Sequence, residues 1–400
     1  MSAVPSARPR PLHFAAFALS ATGRPIEGAW RLALPRQADF DDLEHWVRLA
    51  RTLERGRFDA VFLADAVAHH APRHRGGYRP FEGGFQAPGL DPSVLAGAIA
   101  YVTDHLGIAF TASSLHEHPS DFARRISALD YASNGRVAWN IPAEDPPSPS
   151  AAEYLDVTYK LWEGSWDEDA LRQDGRAATA AGDGKVHPIN HRGPQYTVEG
   201  PHLASPTPQR TPLLFQAAAS DADRALAAGN AEAVFIRSAA PAAAARDIAE
   251  LRSRAAGLGR AAEDIKFFQS LHIVTGSTEA EARRKAADLD ERTADAARLS
   301  LYAGARIAGT PEQIADELAR WQDAEVDGIS LVNAGGPEPY EEFVERVVPI
   351  LQSRGQMQRE YGDGTLRHKL FGRGDRLPER HPAARYRGAF APQPAGSRHG

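Results

Sequence analysis

Between Leu106 and Asn140 the chain reads LGIAFTASSLHEHPSDFARRISALDYASNGRVAWN, and this order of residue types constrains the fold more than any other stretch. Ile108, Phe110 and Ala112 alternate with Ala109 and Thr111 in a short β-rich run, which Thr111, Ser113 and Ser114 close. Pro119 suits the first turn of a helix whose apolar face carries Phe122, Ile126 and Leu129. Asn134-Gly135 stops that helix, and Arg136 to Asn140 reads as the next strand. Polar residues that follow buried strands, with helices between the strands, belong to the catalytic rim of a (β/α)8 barrel.

The rest of the chain repeats the alternation. Leu12 to Leu19 suits a first strand, and Phe40 to Leu53 has helical spacing. Ala60 to Asp65 is an apolar strand ending on a carboxylate, followed by a His-, Gly- and Pro-rich loop over 66–90. Strand-like runs recur at 213–217, 233–236, 265–274 and 328–332, with helical segments between them. Thr310-Pro-Glu-Gln313 has the pattern of a capping box. Roughly eight strand–helix units result, which predicts an α/β fold: a (β/α)8 TIM barrel with insertions. The expected organisation is a loose tail over 1–10, one barrel domain over 11–372 and an insertion at about 164–211. An Arg-, Pro- and Gly-rich tail over 373–400 reads as poorly ordered. A doubly wound open sheet would need a glycine-rich phosphate turn after its first strand, and the Leu19–Arg24 turn is not one.

Composition removes several function classes. The chain has no cysteine, which excludes disulfides, thiolate catalysis and Cys-ligated clusters. The net charge of −6 is mixed in sign and does not suit nucleic acid. No apolar run reaches membrane-spanning length and no signal peptide is recognisable, so a soluble cytoplasmic protein is expected.

The barrel rule nominates residues at the C-terminal ends of strands: Asp65, Thr111, Ser113, His116, His118, Asn140, Gln216 and Ser220. Each could instead be a cap or a loop anchor; their weight comes from converging on one mouth. His116, Glu117 and His118 are adjacent, and successive residues of an extended segment point to opposite sides, so no metal site is expected there. No G-x-S-x-G elbow is present for serine catalysis.

Several ordered blocks also resemble a known family. They are Gly28-Ala-Trp30, ERGRFDAVFLAD at 54–65, TASSLHEHP at 111–119, ARRISALDYASNGRVAWN at 123–140 and EYLDVTYKLWEGSWDEDAL at 153–171. KVHPINHRGPQYTVEGP at 185–201, PQRTPLLFQAAAS at 208–220, GTPEQIADEL at 309–318 and Thr365-Leu-Arg367 complete them. The chain resembles the bacterial-luciferase-like flavin monooxygenases, in the branch of the nitrilotriacetate, dibenzothiophene sulfone and long-chain alkane monooxygenases. That resemblance implies a two-component enzyme. Reduced FMN would come from a separate flavin reductase, O2 would add to it to form a peroxyflavin, and a small-molecule substrate would be oxygenated. It further implies that Asp65, Thr111 and Asn140 lie by the flavin ring and ribityl chain, that Ser220 lies in the phosphate loop, and that His118 assists the chemistry. A homo-oligomer, dimer or tetramer, is implied as well.

Two departures from the family pattern concern the flavin phosphate. Where the family carries Gln-Ala-Gly-Ser-Ser-x-x-Gly, this chain has Gln216-Ala-Ala-Ala-Ser-Asp-Ala-Asp223, with Ala218 for a glycine, Ala219 for a serine and Asp223 for a glycine. A carboxylate within about 6 Å of the phosphate would cost on the order of 3 kcal/mol per unit charge, or roughly two orders of magnitude in affinity. The loop after Asn140 is also short and proline-rich, IPAEDPPSPSAA, and lacks a tyrosine often found near the phosphate. Two other functions therefore stand beside the monooxygenase: a barrel that has lost FMN and performs a non-redox reaction, or a non-catalytic partner subunit.

Overall fold

The computed structural model describes residues 10–19, 42–64, 90–112, 117–142, 149–170, 184–292, 303–333 and 336–392. Its strands are β1 (His13–Leu19), β2 (Ala60–Ala64), β3 (Gly107–Thr111), β4 (Val137–Ile141), β5 (His191–Arg192), β6 (Thr197–Val198), β7 (Leu213–Ala217), β8 (Ala233–Ile236), β9 (Lys266–Thr275), β10 (Ala305–Gly309) and β11 (Gly328–Val332). Eight of them pair in parallel in the order β9-β11-β1-β2-β3-β4-β7-β8, and β8 pairs back to β9 to close the ring. The strands are almost wholly apolar because both faces are buried, one by the barrel interior and one by helices.

The helices that cover the outer face are α1 (Leu43–Arg55), α2 (Pro92–Val102), α3 (Pro119–Ala132), α4 (Pro149–Tyr159), α5 (Asp221–Asn230), α6 (Pro241–Gly257), α7 (Glu279–Arg292), α8 (Pro311–Asp323), α9 (Glu338–Arg346) and α10 (Val348–Ser353). The capping box at α8 forms as its sequence predicts: Thr310 Oγ1 accepts from the Gln313 N–H, and Gln313 Oε1 accepts from the Thr310 N–H. Among the described residues no helix is long and apolar enough to cross a membrane.

The barrel interior is filled by side chains. Ala15, Phe62, Ala109, Ala138, Phe215, Phe235 and Phe268 form one buried cluster, with the Phe215 and Phe235 rings stacked at 5.0 Å. A last helix, α11 (Leu366–Phe371), adds Leu366 and Leu370 to that cluster and closes the N-terminal end of the barrel. Gly107 permits this approach: a Cβ there would stand 2.6 Å from Leu366 Cδ1 and 2.7 Å from the Asp59 carbonyl. The closed bottom leaves the C-terminal rim as the place for chemistry.

Three features differ from the sequence reading. Ala305–Gly309 forms β10, which lies beside the second half of β9 and outside the eight-stranded ring; its Ala- and Gly-rich sequence carries little strand signal. The run from Tyr340 to Leu351, whose sequence predicts one closing helix, is split into α9 and α10, with Pro349 in the first turn of α10. The described part of the tail, residues 373–392, is also not loose. Leu377 and Ala383 are buried, Arg387 pairs with the buried Glu163, and Arg380 with the buried Asp264. Arg380 and Arg387 are thus partners for carboxylates in the body, not part of a solvated charge run.

Candidate active site

β3 and β4 run side by side with Thr111 opposite Asn140. Ala109 and Ala138, two residues earlier, lie in the interior cluster, so strand alternation turns Thr111 and Asn140 inward at the rim. Asn140 Nδ2 donates to Thr111 Oγ1 at 3.1 Å. Asn140 Oδ1 is buried and has no hydrogen-bond partner. A buried acceptor left unpaired costs about 1–3 kcal/mol, so this atom is a standing site for a ligand donor. On the outward side, Trp139 donates from Nε1 to the Ala112 carbonyl at 3.2 Å and packs against Phe122 at 4.7 Å. That contact locks β4 to α3 and holds the rim pair still.

His118 is the N-cap of α3, at the same end of the barrel. Its Nδ1 accepts the Ser120 N–H at 3.4 Å. The neutral ring then carries its proton on Nε2, which is available as a donor. Tyr196 meets the His118 ring edge-on at 6.0 Å. Tyr196 sits between β5 and β6, in the insertion, and Glu153 of α4 pins it there by accepting the backbone N–H of Tyr196 at 2.9 Å and of Gln195 at 3.0 Å. Tyr154 packs against Tyr196 at 5.8 Å, and its buried hydroxyl has no partner. Burial, reinforced by nearby Glu117, pushes this hydroxyl's pKa up, so it stays a neutral donor.

Two further positions need correction or qualification. Gln216 does not face the mouth. Phe215 occupies the interior, so Gln216 points outward from β7, fully buried with both amide atoms unpartnered. Ser220 is the N-cap of α5, and Asp223 completes a capping box with it. Asp65, Ser113 and His116 lie outside the described residues.

Sequence reasoning missed Tyr196, Tyr154 and His272. His272 lies on the extension of β9 past the ring and, with Val274, Leu289 and Asn333, lines a cavity of about 310 Å³. Burial, helped by Arg306, takes its pKa down to about 4. Arg306 Nε donates to His272 Nδ1 at 3.2 Å, so this ring too is neutral with its proton on Nε2. The unusual ten-residue length of β9 was the available signal.

Does this arrangement suit a flavin? At the rim the chemistry allows it: an orphan acceptor, Asn140 Oδ1, and a donor, His118 Nε2, are the kinds of group that could hold a polar ring and its side chain. At the N-terminus of α5 it does not suit a phosphate, because Ser220 and Asp223 satisfy each other there. Among the described residues no cluster of His, Asp and Glu could hold a metal ion.

The family model of luciferase-like monooxygenases matches residues 13–328. The chain belongs to that family. It is 35% identical to the long-chain alkane monooxygenase of Geobacillus thermodenitrificans over 94% of this chain and 98% of that one. The crystal structure of a long-chain alkane monooxygenase superposes with a TM-score of 0.87, covering 94% of this chain and all of the other. The dimethyl-sulfide monooxygenase of Hyphomicrobium sulfonivorans is 33% identical over 94% of this chain and 93% of its own length. A riboflavin lyase solved with modified FMN and riboflavin is 29% identical, with a TM-score of 0.85 over 94% of this chain and 100% of its own. This luciferase-like monooxygenase is accordingly an enzyme of the flavin-dependent class, on the barrel its sequence predicts.

Proposed function

We propose that the chain is the oxygenase of a two-component system, which takes reduced FMN from a separate flavin reductase and places one atom of O2 in a small organic substrate. The observation that carries this reading is the buried rim pair Thr111–Asn140 with its free Oδ1, in a chain of this family. The flavin, when bound, supplies the electron pair that activates O2.

The chain's own residues bind, orient and exclude water. Asn140 Oδ1 accepts a hydrogen bond from a flavin N–H or ribityl hydroxyl, and Thr111 holds the Asn140 amide in the orientation that presents that oxygen. His118 donates from Nε2 toward the reacting oxygen, and Tyr196 fixes the plane of its ring. The barrel interior beneath the rim is apolar: Phe17 and Phe62 lie 5.4 Å apart, and Phe62 and Phe235 5.0 Å apart. Such a surface keeps water from the reacting flavin and suits a small apolar substrate, such as an alkyl chain or a thioether. Relatives named for a long-chain alkane and for dimethyl sulfide support that class.

The test supplies reduced FMN through a separate reductase under isotopically labelled dioxygen, with dimethyl sulfide and a series of n-alkanes as probes. Mass spectrometry should find one labelled oxygen atom per product molecule. Release of all the oxygen as hydrogen peroxide or water with every probe would reject this substrate class.

A further inference from the structure

We infer that the cofactor site of this chain does not select for the flavin's phosphate, so that it takes phosphate-free flavin as readily as FMN. The inference rests on the flavin reading above and concerns one end of the ligand. A phosphate dianion is held by free backbone N–H groups at a helix N-terminus, by hydroxyls and by guanidinium or ammonium groups. The turn from β7 to α5, where the family resemblance puts the phosphate, commits the Ser220 hydroxyl and the Ser220 and Asp223 N–H groups to itself and places a carboxylate among them.

Four N–H groups of the turn have partners inside the protein. The Ala218 N–H donates to the Phe235 carbonyl at 3.2 Å, so it belongs to the sheet. The Ser220 N–H donates to Asp223 Oδ2 at 2.9 Å, and the Asp223 N–H donates to Ser220 Oγ at 3.1 Å. The Arg224 N–H donates to the Ser220 carbonyl at 3.0 Å. Ala219 offers a methyl group in place of a hydroxyl. The Asp223 carboxylate, in a residue only 5% exposed, already supplies the negative charge that the helix's positive end attracts.

The surrounding charges point the same way. Asp221, also in the first turn, holds Arg254 at 2.6 Å, and Arg254 is shared with Glu250. Arg224 is held between Glu250 and Asp247. With Asp223 this makes four carboxylates to the two guanidiniums that pair with them at the helix start. A dianion arriving there would have to displace Asp223 and would meet a negative field. Recognition at the ring end loses nothing by this, because Asn140 Oδ1 and His118 lie on β4 and α3.

The experiment titrates the full-length protein with oxidised FMN and, separately, with riboflavin, following flavin and tryptophan fluorescence. The two dissociation constants should agree within about threefold. Asp223→Asn keeps an oxygen that can cap Ser220 but removes the charge. It should tighten FMN by about tenfold or more and leave riboflavin unchanged. Thermal melting of the variant, expected to match the parent, shows that the cap is intact. Preference of the parent for FMN by about 100-fold or more would overturn the inference, as would an FMN-to-riboflavin ratio that Asp223→Asn does not move. Arg237→Ala adds a rival arm, since Arg237 follows β8 next to this turn. An FMN preference that disappears in that variant would assign the phosphate to Arg237 and reject the inference. Failure to bind either flavin would instead remove the flavin reading itself, and this inference with it.

Discussion

Replacing His118 by asparagine should lower oxygenated product by about 10²–10⁴-fold, the range for losing a positioned proton donor, while the protein melts as before. The choice of asparagine matters. His118 caps α3 through Nδ1, and an alanine there would cost about 1 kcal/mol of helix stability in addition to any chemical effect. Asparagine is itself a strong N-cap residue, so His118→Asn removes the Nε2–H donor and spares the helix. Product formed per reduced flavin oxidised is the readout, with hydrogen peroxide measured alongside. Loss of product with peroxide rising to match places His118 in oxygen transfer. Unchanged product yield would deny it any part in the chemistry.

The second large effect is on stability, at the opposite end of the barrel. Arg367 is buried and binds Glu232 through two contacts, Nε to Oε1 at 2.6 Å and Nη2 to Oε2 at 2.8 Å. It also donates to the carbonyls of Thr211 and Pro212, each at 3.0 Å, and of Asp375 at 2.8 Å. Arg367 thus ties the approach to β7, the approach to β8 and the chain after α11 to the helix that plugs the barrel. Arg367→Met should destabilise the fold by about 3–5 kcal/mol, because it leaves a buried carboxylate without its partner. Urea unfolding measures this directly. Adding Glu232→Met should recover much of the loss, since an apolar pair removes the uncompensated charge. A loss below about 1 kcal/mol in the single variant would mean that the pair is replaceable by water.

Much of this architecture was legible in the sequence, for a physical reason. Strands buried on both faces are unbroken apolar runs, and helices between them carry caps such as Thr310–Gln313, so the alternation survives without any tertiary information. That Thr111 and Asn140 stand at the ends of consecutive strands was legible for the same reason, and the structure adds that they face each other. What escaped depended on direction or on distant partners. Gln216 stands at a strand end as Asn140 does, yet one residue of alternation turns it away from the axis. Tyr196 reaches His118 only because Glu153, 43 residues away in sequence, captures its backbone. The ordered chain after Gly372 depends on Glu163 and Asp264, carboxylates far from it in sequence. Asp223 was legible as a departure from the family pattern, and its geometry adds that it caps the helix on which it lies.

The measurement that bears most directly on the flavin-dependent reading is an anaerobic titration of the protein with reduced FMN, followed by intrinsic tryptophan fluorescence. Saturable binding in roughly the micromolar range, weakened about tenfold or more by Asn140→Leu, is the predicted result. Absence of binding at high flavin concentration, or binding that Asn140→Leu leaves untouched, would contradict the assignment of the β3–β4 rim as the flavin site.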